Sequence, residues 1–252
     1  MHSERDAAVA VERRIVLLGG GFSLDPDSPL DEFVLAGTGS DCPRVCFLAT
    51  AGGDAREDIA AFHAAFGRLN CVPSHLSLFH DIPDDLEAVM ANQDVFYVGG
   101  GSTANLLAVW RLHGLDRLLA DAYRRGVVLC GVSAGAACWF EGCLTDSFGP
   151  LRELHDGLGL LPGSFCPHFD SEPDRAPMYI RAVETGSLPD GWALDDGAAV
   201  LFRDERLAEV VAATPASTLT RIRRDGDGID MRRYEPRLLP GRVDGPRADH
   251  VG

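Results

Sequence analysis

The sequence contains no lysine: all 23 of its cationic side chains are arginine, set against 38 carboxylates for a formal net charge of -15 over 252 residues. That absence excludes a Schiff-base lysine, a lysine general base and the lysine of a Walker phosphate loop. The deficit of positive charge also argues against a general nucleic-acid binder, which needs a basic face to neutralise phosphates. Long uncharged apolar runs are missing, and the opening Met1-His-Ser-Glu-Arg-Asp6 has neither the cationic start nor the apolar core of a signal peptide. No membrane partner and a cytoplasmic location are therefore expected. The seven cysteines are odd in number and show no paired Cys-x-x-Cys spacing, so neither a zinc ribbon nor a disulfide framework is indicated. Cys46 and Cys130 sit within apolar runs, where a reduced thiol packs as a small hydrophobe.

What is present is the patterning of a globular α/β chain. Apolar runs at Arg14–Gly19, Arg44–Thr50, about 75–79, Asp94–Val98 and Gly126–Gly131 read as strands, several ending in glycine. Helical periodicity separates them over about 54–69, with Asp54 as its expected cap, and over 84–91, 103–112 and 115–125. This alternation implies a mainly parallel sheet covered on both faces, a three-layer sandwich of flavodoxin-like type, with ligand chemistry beyond the carboxyl ends of the strands. After a further strand at 165–169 and a helix at about 174–186, short runs at 192–194, 198–202, 208–212, 219–222 and 229–234 suggest C-terminal hairpins. Asp196-Gly197 and Asp225-Gly-Asp-Gly228 are the expected turns. A single domain over 1–235 and a loose tail over 236–252 follow.

The most informative stretch is Val127-Val-Leu-Cys-Gly-Val-Ser-Ala-Gly-Ala-Ala-Cys-Trp139. A strand running through Gly131-x-Ser133-x-Gly135 into a helix is the setting of a nucleophile elbow, with the Ala134 amide available to a developing oxyanion. A base must accompany the serine, and His168, at the end of an apolar strand, is the best-placed histidine downstream. Three positions compete for the acid: Asp146, Asp170 and the Asp195-Asp196 pair, for which a hairpin turn is the simpler reading. Val98-Gly-Gly-Gly-Ser102 brings three glycines to a strand end before a helix, an anion nest that points to an oxyanion-hole amide at Gly100 or Gly101.

Taken in order, Val98-Gly-Gly-Gly-Ser-Thr-Ala-Asn-Leu-Leu107, Gly131-Val-Ser-Ala-Gly-Ala136 and Cys166-Pro-His-Phe-Asp-Ser-Glu-Pro173 resemble the peptidase E family of serine peptidases, the aspartyl dipeptidases. The resemblance implies a class I glutamine-amidotransferase-like fold and cleavage of dipeptides that begin with aspartate. No cofactor or metal would be required, and the chain would act as a monomer or homodimer. Ser133 would be the nucleophile, His168 the base and Asp146, which falls between them, the acid. Gly101 and Ala134 would form the oxyanion hole. Gly100, Asp170 and Arg175 are weaker candidates for substrate contact, with Arg152 and Arg181 as further cations for an aspartyl side chain. Three other readings remain open: a cyanophycinase-like peptidase, an α/β-hydrolase esterase and a catalytically silent metabolite-binding protein. The short interval between Ser133 and His168 leaves little room for the strand-helix units of the esterase.

Overall fold

Four of the five strands of the first half are apolar at both parities and bury both of their sides, whereas the edge strand Val72–Leu76 does not. In β1 (Arg14–Leu18), Ile15 and Leu17 face one core while Val16 and Leu18 face another. The computed structural model describes residues 11–20, 29–80, 82–226 and 228–240. In chain order, β1 is followed by α1 (Pro29–Ala36), β2 (Arg44–Leu48), a 3-10 turn (Thr50–Gly52), α2 (Arg56–Phe66), β3 (Val72–Leu76), α3 (Leu86–Ala91) and β4 (Val95–Val98). Then come α4 (Thr103–His113), α5 (Leu115–Arg124), β5 (Val128–Val132), α6 (Ala134–Ala137), β6 (Phe140–Thr145), β7 (Arg152–Leu154) and β8 (Leu161–Cys166). The chain closes with α7 (Arg175–Thr185), β9 (Gly191–Leu194), β10 (Ala198–Arg203), β11 (Arg206–Ala212), β12 (Leu219–Asp225), β13 (Gly228–Tyr234) and β14 (Arg237–Leu238).

An eight-stranded sheet has the order β14-β11-β10-β1-β5-β4-β2-β3, with β1 to β5 mutually parallel. Leu30, Val34, Phe62 and Phe66 from α1 and α2 cover one face. The other packs against Leu106, Trp110, Leu119 and Tyr123 of α4 and α5, and against Phe140, Leu161 and Phe165 of a second sheet. That second sheet, of order β13-β12-β9-β8-β6-β7, carries α7 on its far side through Tyr179, Ala182 and Val183. The mixed α/β architecture with a mainly parallel sheet is the one the sequence predicts, but the second sheet is not.

Several local expectations change for identifiable reasons. The runs at 192–194 and 198–202 do not form a hairpin: β9 pairs with β8 and β12 in the second sheet, whereas β10 pairs with β1 and β11 in the first. Asp195-Asp196-Gly197 is thus a crossing between sheets. The β10–β11 turn falls at Asp204 and Glu205, both in the left-handed region at φ 46° and 60° and both held by Arg13 at 3.2 and 3.0 Å. Asp54 does not cap α2. Its Oδ2 instead accepts the amides of Leu78 and Phe79 at 2.6 and 2.8 Å. The expected loose tail is ordered at its start, because β14 runs parallel to β11 and Arg237 pairs with Glu209. Residues 241–252 lie outside the described residues. Among those described, no helix is long and apolar enough to cross a membrane.

Candidate active site

Gly131 and Gly135 let the chain reverse from β5 into α6 with almost no clearance. A Cβ on Gly131 would stand 2.0 Å from the Gly135 carbonyl oxygen, and one on Gly135 would stand 2.3 Å from that of Val98. Any larger side chain would force the turn open. Between them Ser133 sits at φ 54°, ψ -113°, a backbone state that non-glycine residues occupy only when the surroundings impose it. Its amide is held by the Leu18 carbonyl at 3.2 Å, and its hydroxyl projects from the carboxyl edge of the first sheet.

β8 ends beside it in the second sheet and delivers His168, also at positive φ (54°), whose Nε2 lies 2.8 Å from Ser133 Oγ. Its Nδ1 lies 2.7 Å from Asp196 Oδ1. The three side chains form one hydrogen-bonded line, with His168 20% and Asp196 35% exposed. The His168 hydrogen bond, helped by one from Ser171, holds the Asp196 carboxyl below the usual carboxylate range against the opposing effect of burial. In this arrangement Asp196 can fix the imidazole tautomer and stabilise its protonated form.

Asp146, the expected acid, is not part of this line. It lies in the turn after β6, where its carbonyl accepts the Gly149 amide and its side chain is exposed. β8 is flanked by β6 on one side and β9 on the other, and both ring nitrogens of His168 are occupied by Ser133 and the β9 side. Asp170 supports the line from outside: its Oδ1 accepts the Asp196 amide at 2.9 Å. Asp195 anchors the same crossing, its Oδ2 accepting both the amide (2.9 Å) and hydroxyl (2.8 Å) of Thr218, while burial pushes its own carboxyl up. Gly20 closes the near side, since a Cβ there would lie 2.2 Å from Asp196 Oδ1 and 2.6 Å from His168 Cε1.

The glycine loop also reaches the serine. A Cβ on Gly100 would come 3.5 Å from Ser133 Cβ, and the loop is pinned by Ser102 N–H donating to the Ala51 carbonyl at 2.9 Å. Gly99 and Ser102 spend their amides on Leu48 and Ala51, whereas those of Gly100, Gly101 and Ala134 enter no loop or turn hydrogen bond among the described residues. Arg175 is not available to a ligand: its side chain is 4% exposed and its guanidinium is spent on Glu172 and the Leu144 carbonyl. Arg152 is exposed, opposite Thr145 in the β6–β7 pair, and stacks 3.9 Å over the Phe148 ring. That loop abuts the start of α4, where Ser147 Oγ accepts the Ala104 amide.

Residues 15–210 match the family described as Peptidase family S51. This chain belongs to that family. The S51 chain is 47% identical over 209 residues to a protein named uncharacterized peptidase YgaJ of Bacillus subtilis, an alignment spanning 82% of this chain and 90% of that one. It is 30% identical over 142 residues to peptidase E of Salmonella arizonae, covering 56% of this chain and 52% of the relative, so that it spans about half the length of that protein. Among solved structures, a peptidase from an acI-B1 actinobacterium superimposes with a TM-score of 0.69 over 90% of this chain and 96% of the other at 16% identity. A candidate peptidase E from Listeria monocytogenes gives 0.61 over 81% and 100% at 19% identity. These two likenesses concern the fold.

Proposed function

We propose that this S51 peptidase hydrolyses short peptides through an acyl-enzyme formed on Ser133, with His168 as general base and Asp196 as its partner. The observation that carries this reading is the unbroken Ser133–His168–Asp196 line at 2.8 and 2.7 Å, set on a strained elbow. His168 Nε2 takes the Ser133 proton as the hydroxyl attacks the scissile carbonyl, and the amides of Ala134 and of Gly100 or Gly101 receive the oxyanion. His168 then protonates the leaving amine, and water releases the acyl group by the reverse sequence.

The preferred substrates in this reading are dipeptides with an N-terminal aspartate. Two features support it: the relatives named peptidase E, and the exposed guanidinium of Arg152 beside the β6–β7 loop. With Arg175 internally committed, Arg152 is the candidate to meet a substrate carboxylate. Turnover of a panel of Xaa-Leu dipeptides and longer peptides tests this, with Ser133→Ala expected to lose roughly 3 or more orders of magnitude while folding normally. Retained turnover in that variant would overturn the mechanism. Equal turnover of Ala-Leu and Asp-Leu would overturn the specificity alone.

A further inference from the structure

The second sheet carries a cleft of about 490 Å³ at the end away from the triad. β8 enters it at Leu161 and leaves toward His168, while β10 starts beside Asp196 and reaches it at Phe202. One strand length, roughly 17 Å at about 3.3 Å per residue, therefore separates it from the Ser133 hydroxyl. Its volume lies within the range typical of small-ligand sites, roughly 300–1,000 Å³.

Trp192 is the accessible aromatic ring of this cleft, and two buried rings fix it from behind. Trp192 meets Phe202 edge-to-face at 5.5 Å between centroids, and Phe202 meets Phe140 in the same way at 6.3 Å. Arg221, directly across from Trp192 in the β9–β12 register, lays its guanidinium 4.6 Å over the indole. Its strand neighbour Arg223 is paired with Asp230, but Arg221 makes no ion pair among the described residues. Burial pulls against its charge, and Tyr179 and Asp190 offset that only in part.

Two carboxylates share the cleft with unspent capacity. Glu141 uses one oxygen on the Gly163 amide at 2.8 Å, and Asp190 uses one on the Arg224 amide at 3.0 Å. A third, Glu205, is taken up by Arg13 and Tyr123. A plain anion would meet Glu141 and Asp190, and a plain cation would meet Arg221, so the polar rim suits a ligand carrying both signs. We propose that this cleft is a second binding site, for a zwitterionic α-amino acid or short peptide with an apolar side chain. The ligand carboxylate lies on Arg221, its ammonium group on Glu141 and Asp190, and its side chain on Trp192, which the buried rings of Phe202 and Phe140 hold in place. The site is independent of the peptidase mechanism proposed above.

The probe is L-phenylalanine, titrated calorimetrically and by intrinsic fluorescence into the full chain. Trp110 and Trp139 are fully buried, which leaves Trp192 as the indole that a ligand can touch. Saturable binding is expected, weakened roughly tenfold or more in L-phenylalaninamide, in N-acetyl-L-phenylalanine and in Arg221→Gln, each of which removes one charge-assisted contact. Ser133→Ala should bind as the parent does. If Arg221→Gln melts early, Glu141→Gln and the two blocked ligands carry the comparison. The proposal is overturned by absence of saturable binding at about 10 mM, by equal affinity for all three ligands, or by binding that Ser133→Ala abolishes and both cleft variants leave intact.

Discussion

Replacing Asp196 by asparagine keeps the side chain's shape and removes its charge. At 2.7 Å the carboxylate and a protonated His168 attract by about 6 kcal/mol in an effective dielectric of about 20. Asp196 is 35% exposed, and solvent screening brings this to roughly 3 kcal/mol, or about two decades in rate. The amide does further harm. If its N–H donates to His168 Nδ1, the ring proton moves to Nε2, and the atom that must accept from Ser133 becomes a donor. The expected loss is therefore about 10³–10⁴ in kcat. The rate of Ser133 phosphonylation by a fluorophosphonate reports it without knowledge of the substrate, with circular dichroism to confirm the fold. Asp146→Asn is the control and should stay within about twofold, as expected for an exposed surface position. If Asp146→Asn abolishes labelling while Asp196→Asn leaves it intact, the assignment of the acid is wrong.

Four further outcomes follow from the same geometry. Gly20→Ala should cut labelling by roughly 10²-fold with little change in secondary structure, because its methyl group would displace Asp196 and His168 by more than an ångström. Ser133→Gly should raise stability by about 1 kcal/mol relative to Ser133→Ala in urea unfolding, since glycine relieves the positive-φ strain that alanine retains. The depressed carboxyl of Asp196 stabilises the fold above its unfolded value near 3.8 and loses that contribution as pH falls through its lower folded value. Wild type should therefore lose more thermal stability below about pH 4 than Asp196→Asn does. Asp195 has the opposite sign: its raised carboxyl costs stability above its folded value and returns it on acidification. Asp195→Asn should accordingly be neutral or stabilising at pH 7, whereas Asp195→Ala, which strands the Thr218 amide and hydroxyl, should cost about 1–3 kcal/mol.

Ser133 and His168 were legible in the sequence because their signals are local: a glycine-flanked serine between strand and helix, and a histidine where an apolar run ends. Asp196 is visible too, but its local signal is that of an Asp-Gly hairpin turn. That motif does turn the chain, with Gly197 at φ 74°, yet it turns between sheets. Nothing within a few residues of Asp196 distinguishes the two outcomes. The difference lies in long-range pairing, β9 beside β8 and β10 beside β1, which depends on how two sheets share the core around Phe140 and Phe165. Arg175, a weaker candidate for substrate contact, misleads for a related reason. Its proximity to the His168 motif is real, but Glu172, three residues upstream in the bend before α7, absorbs the charge. The first helix, β6 and β7 carry no clear periodic signal because they are short or interrupted by polar residues.

The crossing at Asp196 makes the triad a shared possession of two sheets. Ser133 belongs to the first, His168 to the second, and Asp196 to the strand of chain that passes between them. The hydrogen-bonded line is thus a caliper laid across the sheet–sheet junction. A slippage of about an ångström there would leave every strand, helix and most of the buried surface intact while parting His168 from one of its neighbours. Under gentle heat or denaturant, loss of reactivity at Ser133 should therefore precede loss of circular dichroism. Substitutions in the buried seam, at Phe140 or Phe165, would act on the chemistry from a distance by altering how the two halves of the protein lie against each other.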